Sequence, residues 1–243
     1  MRLSAPIFRL KRQARLLARA DGVPLHVALD RVARGEGFRA WSHLAASASA
    51  AAAAAGDGGR ALLAALAPGD LVLLGGRPGH GKTLMGLELA AAAGRAGRPA
   101  FFFTLEDDEA LVRARLRALG AEPDGSPVIV DTSDAISAEH VIARLGGAGA
   151  GSGGGAVAVI DYLQLLDQRR SNPPLAEQVR ALRAFAGATG AIVVALSQID
   201  RTFATSGRRF PELGDVRLPN PVDLGLFTRA CFLHDGEARF AGV

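Results

Sequence analysis

Cysteine is almost missing from this chain of 243 residues, with Cys231 the single example. That excludes an internal disulfide and leaves a thiol zinc site without partners, as expected in a reducing compartment. Long apolar runs are missing as well. The longest nearly uncharged stretch, the alanine-rich run near 45–55, is too short and too weakly apolar to cross a bilayer, so no membrane span is expected. At the N-terminus Arg9, Lys11 and Arg12 follow Ile7 and Phe8 directly, so no apolar signal core can form, and the expected location is cytoplasmic. Lysine is the other scarcity. Lys11 and Lys82 are the only two, and arginine supplies the rest of the 28 basic residues. Where charge alone suffices this chain uses arginine, so Lys82 calls for a specific explanation. Against these absences, 49% hydrophobic and 21% charged residues are ordinary globular usage and exclude wholesale disorder, collagen and coiled coil.

The net charge of +4 is unevenly spread. Residues 1–50 hold nine Lys or Arg against three Asp or Glu, whereas the remainder holds 19 against 21. The basic character therefore belongs to a small N-terminal segment. In it Leu10, Leu16, Leu17, Val27, Leu29 and Val32 recur at near-helical spacing, broken by Asp21-Gly22 and Gly35-Glu36-Gly37, which predicts two or three short helices. Lys11, Arg12, Arg15 and Arg19 fall within three turns, so most of them can share one helix face, either to meet phosphates or simply as a solvated face. Phe38 and Trp41 are expected to pack this segment, with base stacking as the alternative if they are exposed. An Ala/Gly-rich linker is expected over 51–60, and a main domain over 61–243.

In the main domain short apolar runs alternate with amphipathic ones. Strands are expected at Leu71 to Leu74, Ala100 to Leu105, Val128 to Val130, Val157 to Ile160 and Ala191 to Leu196. Helices are expected at Lys82 to Ala93, Glu109 to Leu119, Ala138 to Leu145 and Leu175 to Ala188. This order predicts an α/β fold with a mostly parallel sheet covered by helices on both faces. Gly146 to Gly155, with seven glycines in ten residues, reads as a mobile surface connection.

Gly76-Arg77-Pro78-Gly79-His80-Gly81-Lys82-Thr83 fits GxxxxGK[ST] between an expected strand and an expected helix. In such a loop, glycines let successive backbone N–H groups turn toward a polyphosphate, and the helix N-terminus favours the anion. Lys82 would neutralise the β and γ phosphates, and Thr83 would offer its hydroxyl to Mg²⁺. Asp161, ending the apolar run Val157 to Ile160, is the expected second metal-holding group on a neighbouring strand. Glu106, ending Phe101-Phe102-Phe103-Thr104-Leu105, is the candidate to polarise an attacking water. A helix-starting acid is the other reading of Glu106, since Asp107, Asp108 and Glu109 follow. Gln198, after the strand ending at Leu196, would sense the γ-phosphate.

These strings, with Ile160-Asp161-Tyr162-Leu163-Gln164-Leu165 and Leu196-Ser197-Gln198-Ile199-Asp200-Arg201, resemble in order the motifs of the DnaB-type replicative helicase ATPase domain. The resemblance covers about Ala67 to Asp235, and Asp-Tyr-Leu-Gln-Leu is its most specific element. Asp215-Val216-Arg217 looks like the family's Asp-Leu-Arg. The resemblance implies a RecA-like P-loop NTPase core, ATP and Mg²⁺, a hexameric ring, and single-stranded DNA in its channel, with Arg201, Arg208, Arg209 and Arg217 as candidate DNA contacts. Nothing in residues 1–50 looks like the family's N-terminal collar. The family also continues beyond the strand at Cys231-Phe232-Leu233 into a segment whose arginine completes a neighbour's ATP site. A protein partner supplying that arginine is therefore expected, with slow turnover and poor unwinding without it. Two functions remain open at this point, a translocating helicase domain and a RecA-like ATPase switch that binds nucleotide and a partner without unwinding; a third reading makes residues 1–50 a DNA-docking module.

Overall fold

A computed structural model describes residues 5, 7–45, 58–121, 128–147, 155–218 and 220–242. The alanine-rich stretch from 46, linker residues 51–57 and the glycine-rich 148–154 lie outside the described residues. The chain divides into two compact units, Met1–Gly56 and Asp57–Val243.

In the first unit, α1 (Ile7–Asp21) and α2 (Leu25–Gly35) are joined at Gly22, and a further helical turn covers 41–45. Leu10, Ala14, Ala28, Val32, Ala33 and Leu44 form its core, with Leu17, Leu29, Phe38 and Trp41 packed against it. The Trp41 backbone N–H donates to Asp30 at 2.8 Å. Phe38 and Trp41 thus serve as packing residues. Leu16, one of the apolar residues at helical spacing, is instead 57% exposed.

The second unit starts with α3 (Gly58–Ala65), so the last three residues of the expected linker open a helix. There follow β1 (Leu71–Gly76), α4 (Lys82–Arg95), β2 (Ala100–Thr104), α5 (Glu109–Ala118), β3 (Ile129–Asp131), α6 (Ala138–Gly146), β4 (Val157–Asp161), α7 (Leu175–Thr189), β5 (Ile192–Gln198), β6 (Arg229–His234) and β7 (Glu237–Ala241). The sheet order is β3-β2-β4-β5-β1-β6-β7. Every pairing is parallel except β6 with β7. Leu71, Leu73, Phe101, Phe103, Ala158 and Ile160 join one core with α6 and α7, while Val72, Leu74, Phe102, Val157 and Val159 join another with α3, α4 and α5. Burial on both faces explains why the strands read as continuous apolar runs rather than alternating ones.

Three differences from expectation position the site. Ser197 and Gln198 belong to β5 instead of following it, because they pair with Gly75 and Gly76 of β1. The edge strand β7 was not expected; it folds back through Asp235-Gly236, both at positive φ, the two-residue Asp-Gly turn that hairpins favour. And α4 is buried continuously from Gly86 to Gly94, because α3 packs against the side turned away from the sheet. Burial, the largest influence on the Glu88 carboxylate, raises its pKa, and the nearby Gly59 N–H at the start of α3 opposes that shift.

At Gly59 a Cβ would stand 2.2 Å from the Glu88 carbonyl carbon and 2.5 Å from its oxygen, both backbone atoms. Gly59→Ala is therefore expected to destabilise the protein by about 1–3 kcal/mol. Thermal unfolding should show a Tm lower by several degrees, and an unchanged Tm would mean that α3 can move away from α4 at no cost.

Candidate active site

The loop after β1 and the first turn of α4 form a cradle at the carboxyl ends of the parallel strands, the edge of an open α/β sheet where ligands bind. Gly79 and Gly81 have φ of 80° and 86°. Gly81 caps α4, its carbonyl accepting the Met85 N–H at 2.8 Å. At Gly76 a Cβ would lie 3.0 Å from Lys82 Cγ, so glycine there leaves the lysine stem its path. Lys82 Nζ donates to the Arg77 carbonyl at 3.3 Å.

The structure brings Lys82, Thr83, Asp161 and Glu106 together. The Thr83 hydroxyl lies beside the Asp161 carboxylate, and the Lys82 ammonium lies within electrostatic reach of both acids. Burial is the largest influence on Asp161 and pushes its carboxyl up to about 6; Thr83 and Lys82 oppose the shift, while Glu106 and Asp107 add to it. Burial likewise lowers Lys82, and Asp161 and Glu106 act to keep its proton. Asp161 Oδ2 and Ser197 Oγ are buried with no hydrogen-bond partner. A carboxylate oxygen without a partner beside a threonine hydroxyl is a donor set that suits a hard divalent cation.

Two sequence readings are refined here. Asp161 is not on the strand next to β1, because β5 runs between β4 and β1; the two ends still meet across it. Glu106 does not end β2, which stops at Thr104, but sits exposed in the following bend with its N–H on Thr104 Oγ1 at 3.1 Å. The helix-starting role falls to Asp108, which caps α5 by accepting from Leu111 N–H at 2.8 Å, and Asp107 pairs with Arg115. Glu106 therefore stays available to the site. Gln198 lies next to it: with Tyr162, Gln164 and Arg217 it lines a cavity of about 200 Å³, and its carbonyl accepts the Arg217 N–H at 2.8 Å.

The four candidate DNA-contact arginines differ. Arg201 and Arg217 are exposed. Arg208 is held by Asp215 at 2.5 Å and Glu212 at 3.0 Å and lies over the Phe203 ring, and Arg209 pairs with Glu237 at 3.2 Å. Arg229, close to the C-terminal strand, pairs with Asp70 at 2.9 Å near the starts of β1 and β6, the sheet edge opposite the phosphate loop.

Sequence reading missed the partner of His80. Its ring stacks on His234 with centroids 5.2 Å apart, and Phe203 and Phe210 meet His234 edge-on. The Asp-Gly turn just after His234 was the available signal, since it returns the chain beside the loop. The ligand atoms of His80, His234 and Asp235 lie within 4.8 Å of one another. The two rings are only 12° from parallel, so their in-plane lone pairs do not converge, and His80 Nδ1 already accepts the Asp235 N–H. Cys231 is buried and its thiol pushed up to about 11, which keeps it protonated and inert as a ligand.

Residues 115–222 match the family described as DnaB-like helicase C terminal domain. The replicative DNA helicase DnaB of Haemophilus influenzae is 28% identical over 218 residues, covering 74% of this chain and 46% of that protein. The chain thus spans less than half the length of that curated relative. Among solved structures, a DnaB-like replicative helicase, described together with its interactions with primase, superposes with a TM-score of 0.58 at 20% identity over 70% of this chain and 48% of that one. A KaiC-like protein of Pyrococcus horikoshii superposes with a TM-score of 0.50 at 18% identity over 71% and 76%. The second unit has a RecA-like α/β fold with the phosphate-loop sequence between β1 and α4, and it resembles the ATPase domain of DnaB-type helicases. Among the described residues no helix is long and apolar enough to cross a membrane.

A raised carboxyl pKa favours the folded state at low pH, an advantage lost as pH rises through the folded value. In the nucleotide-free protein, Asp161→Asn should therefore leave stability unchanged near pH 4. Near pH 8 it should raise stability by an amount on the order of 2 kcal/mol. Denaturant unfolding at both pH values measures this; a variant less stable than wild type at pH 8 would show that the carboxylate is well satisfied where it stands.

Proposed function

We propose that the second unit binds ATP with Mg²⁺ and hydrolyses it to drive movement along single-stranded DNA, as a helicase or translocase domain working in a ring of subunits. The observation that carries this reading is the meeting of Lys82, Thr83, Asp161 and Glu106 at the carboxyl ends of three strands. Gly76 to Thr83, that is Gly76, Arg77, Pro78, Gly79, His80, Gly81, Lys82 and Thr83, would surround the polyphosphate, with backbone N–H groups and the start of α4 supplying favourable partial charge. Thr83 and Asp161 are the residues that would hold Mg²⁺, which spreads the charge of the phosphates as the γ bond loosens.

Each side chain then has a definite task. Lys82 is the lysine of this domain, and its ammonium would leave the Arg77 carbonyl for the β and γ phosphate oxygens, where its proton is held by two nearby carboxylates. Glu106 would accept a hydrogen bond from the attacking water, orienting it and taking up its proton as the bond to phosphorus forms. Gln198 would read the presence of the γ-phosphate and, through the Arg217 N–H on its own carbonyl, pass its loss to the segment 199–217. Arg201 and Arg217 are the better placed DNA contacts; Arg208 and Arg209 would have to exchange a carboxylate for a phosphate. That internal pairing favours a second reading, in which the unit is an ATP-dependent switch acting on a protein partner without unwinding.

Lys82→Ala is expected to abolish hydrolysis and most nucleotide binding, since no other lysine in the domain can replace it; tight ATP binding by this variant would overturn the assignment. Glu106→Gln should keep ATP binding and slow turnover about 10²- to 10⁴-fold, whereas Asp107→Asn, which loses the Arg115 pair and a minor influence on Asp161, should have a small effect. Measuring turnover with and without oligo-dT separates the two readings: a translocase is stimulated by the single strand, and a switch is not. Sizing in the presence of an ATP analogue reports whether a ring forms.

A further inference from the structure

We infer that the first unit is a nucleic-acid dock, whose exposed α1 face grips the phosphate backbone and raises the local concentration of DNA for the ATPase unit. The inference deepens the DNA-directed reading above but rests on different residues. Lys11, Arg12, Arg15 and Arg19 are all exposed. At 100° per residue they fall within an arc of about 100°, and they extend along about 12 Å of helix. Among the described residues no carboxylate pairs with any of the four, whereas two of the three acids in this segment are engaged elsewhere. Asp21 binds Arg31 at 2.8 Å, and Asp30 accepts the Trp41 N–H. Both of these acids are engaged within the unit, Asp21 in a surface pair and Asp30 on the backbone, and the cations of α1 are left for an outside anion.

The opposite face of α1 decides what kind of anion. Leu10 and Ala14 are 1% and 0% exposed in the unit's own core, so α1 cannot lay an apolar face into a membrane without dismantling that core, as an interfacial helix must. A protein-binding surface centres on a desolvated aromatic or apolar anchor and is depleted in charge at its core; among the described side chains of α1, Leu16, at the edge of the arc, is the single large apolar one on view. Rows of arginine and lysine with no apolar centre match a phosphodiester backbone, which they bind by displacing condensed counterions, whatever the base sequence.

The test uses the full chain and a fluorescein-labelled oligo-dT, with anisotropy followed from low to moderate salt. Changing Lys11, Arg12, Arg15 and Arg19 together to Gln should weaken binding at least tenfold at low salt and lower the slope of log affinity against log salt by about 3. The variant R12K/R15K/R19K should bind like wild type, because a phosphate backbone needs the charge and not the guanidinium. Basal ATP turnover should match wild type in both variants, which also checks folding. Equal affinity and slope in the Gln variant would overturn the inference, and so would preferential binding of wild type to phosphatidylserine vesicles over oligo-dT. The two readings fail separately: a protein that binds DNA through α1 but hydrolyses no ATP refutes the ATPase mechanism alone, and one that hydrolyses ATP with unchanged DNA binding in the Gln variant refutes the dock alone.

Discussion

The approach of the Thr83 hydroxyl to the buried carboxylate of Asp161 brings the first turn of α4 to the end of β4, across an intervening strand. Thr83 lies on the helix that the phosphate loop opens, and Asp161 ends a strand whose side chains are buried on both faces. A carboxylate in that position costs free energy unless donors or cations approach it, and its raised pKa records the shortfall. Lys82 and Thr83 offset part of it. Ser197, buried on β5 without a partner, is a second polar group at the same rim whose needs the protein alone does not meet. Under the proposed function, a divalent cation at Asp161 would relieve that shortfall.

Most of this was legible in one dimension because it depends on local chemistry. The phosphate loop needs glycine at positions of positive φ, and buried parallel strands need unbroken apolar runs, so both leave an imprint on consecutive residues. Asp161 was legible for the same reason, as the first charge after such a run. The misses depend on pairing at a distance. Ser197 and Gln198 look like the polar residues that follow a strand, and only the register with Gly75 and Gly76 makes them part of β5. Gly58 and Gly59 look like a flexible stop. They open a helix that packs so closely on the Glu88 backbone, far along the chain, that Gly59 has no room for a side chain.

The arginines make the same point about charge. Counting them identified a basic N-terminal segment, but their availability is set by where the acids fold. Arg208, Arg209 and Arg229 each meet a carboxylate from a distant or adjoining element, while the row on α1 meets none among the described residues. Glu106 and Asp108 show this for the acids. Close neighbours in one acidic run, they part company: one is absorbed by a helix cap and the other remains free at the site. No composition argument separates them; the geometry of the β2 to α5 bend does.

Asp70 has a role that only the whole sheet explains. Its carboxylate accepts the Ala67 N–H, the Thr228 hydroxyl and the Arg229 guanidinium, and Thr228 also bonds both backbone groups of Leu71, so β1 and β6 are clasped where they begin. The far ends of the same two strands carry the phosphate loop and the turn bearing His234, joined by stacked rings rather than by ion pairs. The parallel ladder between the two strands runs unbroken from Val72 with Arg229 to Gly76 with Leu233, so the clasp at Asp70 also sets the spacing at which the loop and the hairpin leave the sheet.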